Sequence, residues 1–333
     1  MTLQPLSARR YAVTVLAWLA LWLVVAAAAL VLGARVWVWE SSAQRGDALR
    51  DSLYGVATAS VVGGALALAG LAFQALLRNP LASPYILGVS GGASLGVILS
   101  SLFVSVLVQP LFGFFGALVT IGTVYAIAQR RGRIEPYSLL LSGVILNAFY
   151  AAIIMLTMGL VRPETRGDIA YWMMGNIGRF DLQWGLVGVV AVLAVGAAIV
   201  FAFLAKGFNL IAVGEETAGT LGVRVERVRH VTFVVASLVT GASVALTGPI
   251  GFVGLIVPHL LRMLLGPDHR RLVPASFFFG ATFLVLANLA TGLLEGAVAP
   301  FPPPPVGVLT AMCGGPFFVY LLRTRWRRTA EVQ

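Results

Sequence analysis

The chain has 333 residues, of which 59% are hydrophobic and only 11% charged, and its formal net charge is +10. An ordinary soluble domain carries roughly a quarter charged residues, so this composition cannot cover a water-facing surface of normal size and places the chain in lipid. The basic residues lie between apolar runs rather than along one face, which excludes nucleic acid as a partner, and the single cysteine, Cys313, excludes an intrachain disulfide or a cysteine-rich metal site.

Arg9 and Arg10 precede the first uncharged run, 11–34. That run is longer than a signal-peptide core and has no small-residue cleavage site, so it reads as a retained first span. A polar stretch, 35–51, leads to a second run, 52–77. The third, 79–129, is 51 residues long. As one helix it would measure about 76 Å, so it holds two crossings, with the turn expected at Pro110 and Gly113. At its start Pro80 and Pro84 interrupt the helix within Arg78-Asn79-Pro80-Leu81-Ala82-Ser83-Pro84-Tyr85. Gly88, Gly92 and Gly96 follow at i, i+4 spacing, a smooth face for close helix contact. Further runs cover 136–161, 182–205, 231–258, 272–294 and 296–322, with a polar loop at 162–181 and a connector at 295–305 stiffened by Pro302 to Pro305.

Basic residues orient the chain. Seventeen of the 23 fall on one side: Arg9, Arg10, Arg78 and the clusters around 130–133, 206–229, 262–271 and 323–328. The majority side is expected to be cytoplasmic. Arg229 and Arg262 then both lie inside, with only 32 residues between them, too few for two full crossings. One full span followed by a short or re-entrant helix resolves this, the break being supplied by Gly248, Pro249, Gly251 and Gly254, with Pro258 beyond. Irregular backbone at membrane depth persists only where it is buried in protein or lines a cavity, so this segment is expected beside a pathway. The predicted fold is a single all-α transmembrane domain over residues 1–333, with about ten helices, one of them short, and both termini cytoplasmic.

Ionisable groups inside the runs are nearly missing, whereas proton- or sodium-coupled carriers usually need them. Asn147, Asn288 and Gln74 are the main strongly polar residues there. His230 and His259 sit near span ends and read as interfacial hydrogen-bonding groups, with haem or metal ligation as the sharper alternative. Met173 and Met174 read as packing residues or soft ligands. The only lysine, Lys206, follows Ala205, so no P-loop exists, and no catalytic constellation is clustered; the chain is not expected to be an enzyme. Residues 214–229 carry Glu215, Glu216, Arg224, Glu226, Arg227 and Arg229, with Ala218, Leu221 and Val225 at helical spacing. They predict a short amphipathic helix pair outside the membrane, either a solvated connector or a docking surface for a separate ATPase.

Taken in order, several stretches resemble the FecCD-type permeases, the BtuC-like membrane subunits of iron-siderophore, haem and cobalamin ABC importers. Val62 to Gly70 with Gln74 is similar to the family's second helix, and Arg78-Asn79-Pro80-Leu81-Ala82 with Leu87 to Ala93 to its most recognisable signature. Tyr171 to Gly175 resembles its external loop, Gly248 to Arg262 its short-helix region, followed by Asp268-His269-Arg270, and Pro305-Val306-Gly307 through Gly315-Pro316 its last helix.

The resemblance implies a ten-helix subunit paired with a second copy in a bacterial inner membrane, in contact with lipid. Two ATP-binding cassette subunits would hold ATP-Mg and dock on Gly214, Glu215, Glu216, Ala218, Leu221 and Gly222. Asn79, Pro80 and Leu81 would form the inner gate, and a periplasmic binding protein would deliver the cargo. That cargo is an iron chelate or haem, with cobalamin, or an ATP-independent channel or secondary carrier, as alternatives. No metal or cofactor is implied in this chain itself. Two departures stand at the outer face. The family's Arg-x-x-Arg pair is replaced by Ser52-Leu53-Tyr54-Gly55, leaving nearby Arg45 and Arg50 for binding-protein docking. The acidic residue usual before the last Pro-Val-Gly is replaced by prolines 302 to 304.

Overall fold

A computed structural model describes residues 8–37, 45–103, 108–130, 133–177, 183–297 and 304–330. The fold is helical apart from a tight antiparallel pair, β1 (Gln129–Arg130) and β2 (Arg133–Ile134). Seven helices are long and apolar enough to cross a membrane: α1 (Ala8–Trp37), α2 (Arg45–Leu76), α4 (Gln109–Ala128), α5 (Pro136–Leu160), α7 (Trp184–Val213), α9 (Val225–Thr247) and α11 (His269–Ala297). Three apolar helices are shorter: α3 (Val89–Ser100), α10 (Val253–Leu265) and the apolar part, Val306–Val319, of α12 (Val306–Ala330). Two further helices, α6 (Pro163–Met173) and α8 (Glu215–Thr220), complete the described elements.

The core is built around α2, which packs against α1, α7, α9, α10 and α11. It can do so because its small residues admit backbones at contact distance. A Cβ at Gly63 would lie 2.3 Å from the carbonyl oxygen of Gly280 on α11, and one at Gly70 only 1.8 Å from that of Gly254 on α10. The α1–α2 contact is antiparallel and carries a hydrogen bond from the Trp22 indole to Ser60 Oγ at 2.9 Å.

The break near residue 250 is present as expected. α9 ends at Thr247, Gly248 takes φ +69° and Phe252 φ +67°, and α10 starts at Val253. α10 contains Pro258 and spans about 20 Å, well short of a hydrocarbon core of about 30 Å. α3 is equally short, which corrects the reading of 79–129 as two ordinary crossings. Residues 77–88 are not α-helical: they form an irregular segment ending in a 3-10 turn at Pro84–Leu87, and α3 starts only after Gly88, at φ +79°. Pro110 opens α4, where a missing N–H costs nothing, but Gly113 lies within that helix against Val97. Gly92 and Gly96 do form the smooth α3–α4 contact, facing Gly116 and Phe112; Gly88 serves the turn instead.

At one end of the molecule α6 closes over the α9–α10 break. The Asn176 amide donates to the Thr247 carbonyl at 2.8 Å and the Gly307 amide to the Gly175 carbonyl at 2.9 Å. α12 then returns past the break, with Gly314 under Phe252 and Phe317 edge-on to His259. At the opposite end Arg78 lies beside Glu215, the Ile134 amide meets Glu226, and Asn209 meets Asp268, so the segments 77–79, 133–135, 214–226 and 266–268 lie on that side.

Candidate functional site

The basic end holds a connected polar site built from four helix termini. α7 ends at Val213, and Gly214, with φ 161° and ψ 142°, turns the chain into α8. The predicted helix pair is therefore one helix of six residues plus the first turn of α9: Val225 belongs to the long helix, not to a second surface helix. Within α8 the Ala218 side chain is fully buried, while Glu216, Thr217, Gly219 and Thr220 are exposed, as is Gly222 just beyond it. Helical spacing groups Leu221 with Ala218 on one apolar face, but the two part company: Ala218 is buried and Leu221 is 62% exposed. It follows the end of α8, and Gly222, at φ +84°, turns the chain back towards α9.

Charge fixes this tip to the body. The Glu215 carboxylate accepts from the Arg229 guanidinium, whose side chain is only 7% exposed, and lies 3.9 Å from the Arg78 guanidinium. Arg229 also donates to Glu226 at 2.8 Å, and the second oxygen of Glu226 accepts from the Ile134 amide at 3.1 Å. A buried guanidinium is tolerable because two carboxylates flank it. One chain of contacts thus joins the end of α2, α8, α9 and β2.

Arg78 immediately precedes the expected gate residues. Asn79 Oδ1 accepts from the Leu81 amide at 2.9 Å, a local turn that fixes Asn79, Pro80 and Leu81 together. Asn79 and Pro80 are half-buried, and Leu81 is exposed. Behind them Gln74, buried on α2, donates to the Gly254 carbonyl at 3.2 Å and accepts from Arg262.

A second cluster lies alongside. Asn209 on α7 donates to Asp268 at 2.7 Å and accepts from the His269 amide at 2.9 Å, while Arg270 grips Asp268 through both carboxylate oxygens. Burial opposes ionisation of Asp268, but the hydrogen bonds from Arg270 and Asn209 outweigh it and hold its carboxyl below the usual range. Asn209 was missed from sequence because Lys206 reads as the end of a span; the apolar run Leu210 to Val213 beyond it was the available signal.

The remaining candidates fall elsewhere. His230 Nδ1 lies 2.6 Å from the Glu226 carbonyl and its ring meets Tyr125 edge-on. Met173 packs with Ile98, Ile154, Val161 and Ile169, and Met174 is exposed. Asn147 donates to the Tyr85 carbonyl at 2.7 Å. Among the described residues no group of three His, Cys, Asp or Glu side chains could hold a metal. Arg45 and Arg50 stand on the first turns of α2, which begins at Arg45 rather than at Ser52; Arg50 is exposed, and the Arg45 side chain lies outside the described residues, as do Pro302 and Pro303.

Similarity to known proteins runs through all of these elements. The chain is 43% identical over 270 residues to the cobalamin import system permease protein BtuC of Halobacterium salinarum, covering 80% of this chain and 70% of that one. It is 39% identical over 271 residues to the Fe(3+) dicitrate transport system permease protein FecD of Escherichia coli, covering 78% and 80% respectively. The hemin transport system permease protein HmuU of Yersinia pestis is 37% identical over 281 residues, 82% of each chain. Among solved structures, a metal-chelate type ABC transporter in an inward-facing conformation matches with a TM-score of 0.81 at 28% identity, covering 94% of this chain and 99% of that one. The family description "FecCD transport family" matches residues 38–324, which takes in both polar clusters, the broken helices and the α8 tip, and the chain belongs to that family.

Proposed function

We propose that this chain is the membrane-spanning subunit of an ATP-driven importer for a metal chelate: an iron chelate, haem or cobalamin. Its seven spanning-length and three shorter apolar helices act as ten membrane helices, with the basic end and both chain termini in the cytoplasm of a cell whose inner membrane holds it. Two copies form the pathway, an ATPase subunit docks on each α8, and a binding protein outside feeds the opposite end, with Arg45 and Arg50 in reach of it.

The observation that carries this reading is the α8 tip. A large apolar side chain, Leu221, stands 62% exposed just past the end of α8, a helix whose apolar residue Ala218 is fully buried and whose Glu216 is exposed. An exposed apolar residue on a charged, rigidly anchored tip suits insertion into a cleft of a soluble partner. The cargo class follows from the relatives, which are named for cobalamin, ferric dicitrate and hemin. These molecules carry their metal in its own ligands, so a pathway need only accommodate a bulky body and let it go.

The mechanism follows from the anchoring. ATP-driven closure of the docked subunits moves α8, and α8 is tied to α9 through Glu215 and Arg229. Asn79, Pro80 and Leu81 then alternate between closing and opening the inner mouth. Co-purification tests the reading: the tagged chain brings down an ATPase at one per permease copy, and Leu221→Asp abolishes it. A purified, folded chain that never retains an ATPase, yet passes chelate, would be a channel or secondary carrier instead.

A further inference from the structure

Arg78 is in the wrong conformation for an arginine. α2 ends in a paired hydrogen-bond motif in which the Asn79 amide donates to the Gln74 carbonyl at 3.2 Å and the Arg78 amide to the Ala75 carbonyl at 3.4 Å. Such an ending requires a left-handed residue between the last helical turn and the outgoing chain, and glycine is the usual occupant because it lacks the Cβ that makes the conformation costly. Here the position is Arg78, at φ +48°. Only one other described non-glycine residue, Phe252, has a positive φ. A strained residue held in place where glycine would be cheaper points to a use for its side chain.

The side chain reaches across to α8. Its guanidinium lies 3.9 Å from Glu215, and Glu215 is held from the other side by Arg229, itself braced by Glu226. Arg78 is covalently next to Asn79. The distance from α8 to the expected gate is therefore one ion pair and one peptide bond. A relay through helix packing alone would have to pass through α7 or α9 and then along α2.

We propose that Arg78 is a positioning residue that ties α8 directly to the gate segment 79–81, with Glu215 as the shared carboxylate and Arg229 as its fixed anchor. Movement of α8 pulls on Arg78 and so on Asn79 and Leu81, without requiring α2 to shift. A salt bridge between half-exposed groups adds little to folding. Its effect lies in transmitting displacement, which explains why a costly backbone conformation is kept. This rests on the importer reading above.

The test separates the side chain from the backbone. In a chain carrying Cys313→Ser and Leu81→Cys, assembled with its cognate ATPase subunit, the rate of Leu81→Cys labelling by a membrane-impermeant maleimide is measured with and without ATP plus orthovanadate. With Arg78 present the nucleotide changes the rate at least fivefold. Arg78→Gly relieves the φ strain, so it folds at least as well, yet the nucleotide response drops below twofold. Arg78→Gln behaves likewise, and Arg78→Lys, which keeps the charge, recovers at least half of the response. If Arg78→Gly keeps the full response, the side chain does nothing and the proposal is overturned. If the unaltered chain binds its ATPase but Arg78→Gln and Arg78→Lys are indistinguishable, the charge is irrelevant and the proposal also fails. A chain with Arg78 intact that binds no ATPase and shows no response removes the importer reading, and this inference with it.

Discussion

Gln74 donates a hydrogen bond to the carbonyl of Gly254, the very carbonyl that Pro258, four residues on, leaves without a helical partner. Proline lacks the N–H that would close that turn of α10, and inside a membrane the orphan oxygen has no water to turn to. Gly70, one turn before Gln74, makes the approach possible, because any Cβ there would collide with the same oxygen. Gln74→Leu should therefore cost about 1–3 kcal/mol, the penalty of a buried unsatisfied acceptor, and Gly70→Ala at least as much through overpacking. Unfolding in detergent, followed by helical circular dichroism, measures both. Unchanged midpoints for the pair would mean that α10 is not seated on α2 as described.

Leu221 and Ala218 separate docking from folding. Leu221 is 62% exposed, so Leu221→Asp should leave thermal stability within about 0.5 kcal/mol and remove ATPase binding. Ala218 is fully buried, so Ala218→Asp should destabilise the chain by more than about 2 kcal/mol by burying a charge. Thermal melts alongside pull-down assays distinguish the two, and equal destabilisation by both would place Leu221 in the core.

The carboxyl of Asp268 titrates below the usual aspartate range because bonds from Arg270 and Asn209 outweigh its burial. Its folded form binds protons less readily than its unfolded form. Its contribution is thus present above the unfolded pKa, about 3.9, and is lost as pH falls through the lower folded value. Melting midpoints should fall more steeply on acidification in the native chain than in Asp268→Asn, and the two curves should converge at the acid end. Parallel curves would remove Asp268 from the stabilising cluster.

Tyr85 and Ile250 join two irregular stretches. The Tyr85 hydroxyl donates to the carbonyl of Ile250, a fully buried residue in the α9–α10 break, and Asn147 secures the Tyr85 carbonyl at 2.7 Å. Tyr85→Phe leaves that oxygen without its donor and should cost about 1–3 kcal/mol in denaturant unfolding. No loss would show that another group satisfies Ile250.

Some of this was legible in the residues alone. The short helix at Pro258 was forced by chain length, since Arg229 and Arg262 lie too close in sequence for two crossings on the same side. The shortness of α3 was hidden because an uncharged run does not report helicity: residues 79–88 carry no charge, yet run as coil and a 3-10 turn. Arg45 to Asp51 read as loop because they are polar, although they form the first turns of α2. At the site, the acidic and basic residues of 214–229 were visible, but their pairing was not. Which carboxylate meets Arg229 depends on how Gly214 and Gly222 fold α8 back against the start of α9, and that Glu215 also lies near Arg78 depends on tertiary placement of residues more than a hundred positions apart.

The claim that ATP on a partner drives transport through this chain is tested most directly by uptake into proteoliposomes. The permease is reconstituted with α8 facing the lumen, together with its ATPase inside and its binding protein outside, and accumulation of haem, a ferric chelate and cobalamin is followed with and without lumenal ATP. Accumulation of one of them above its outside concentration, only with ATP and lost in Leu221→Asp, is the predicted result. Equilibration of chelate at the same rate without ATP, unaffected by Leu221→Asp, would contradict it.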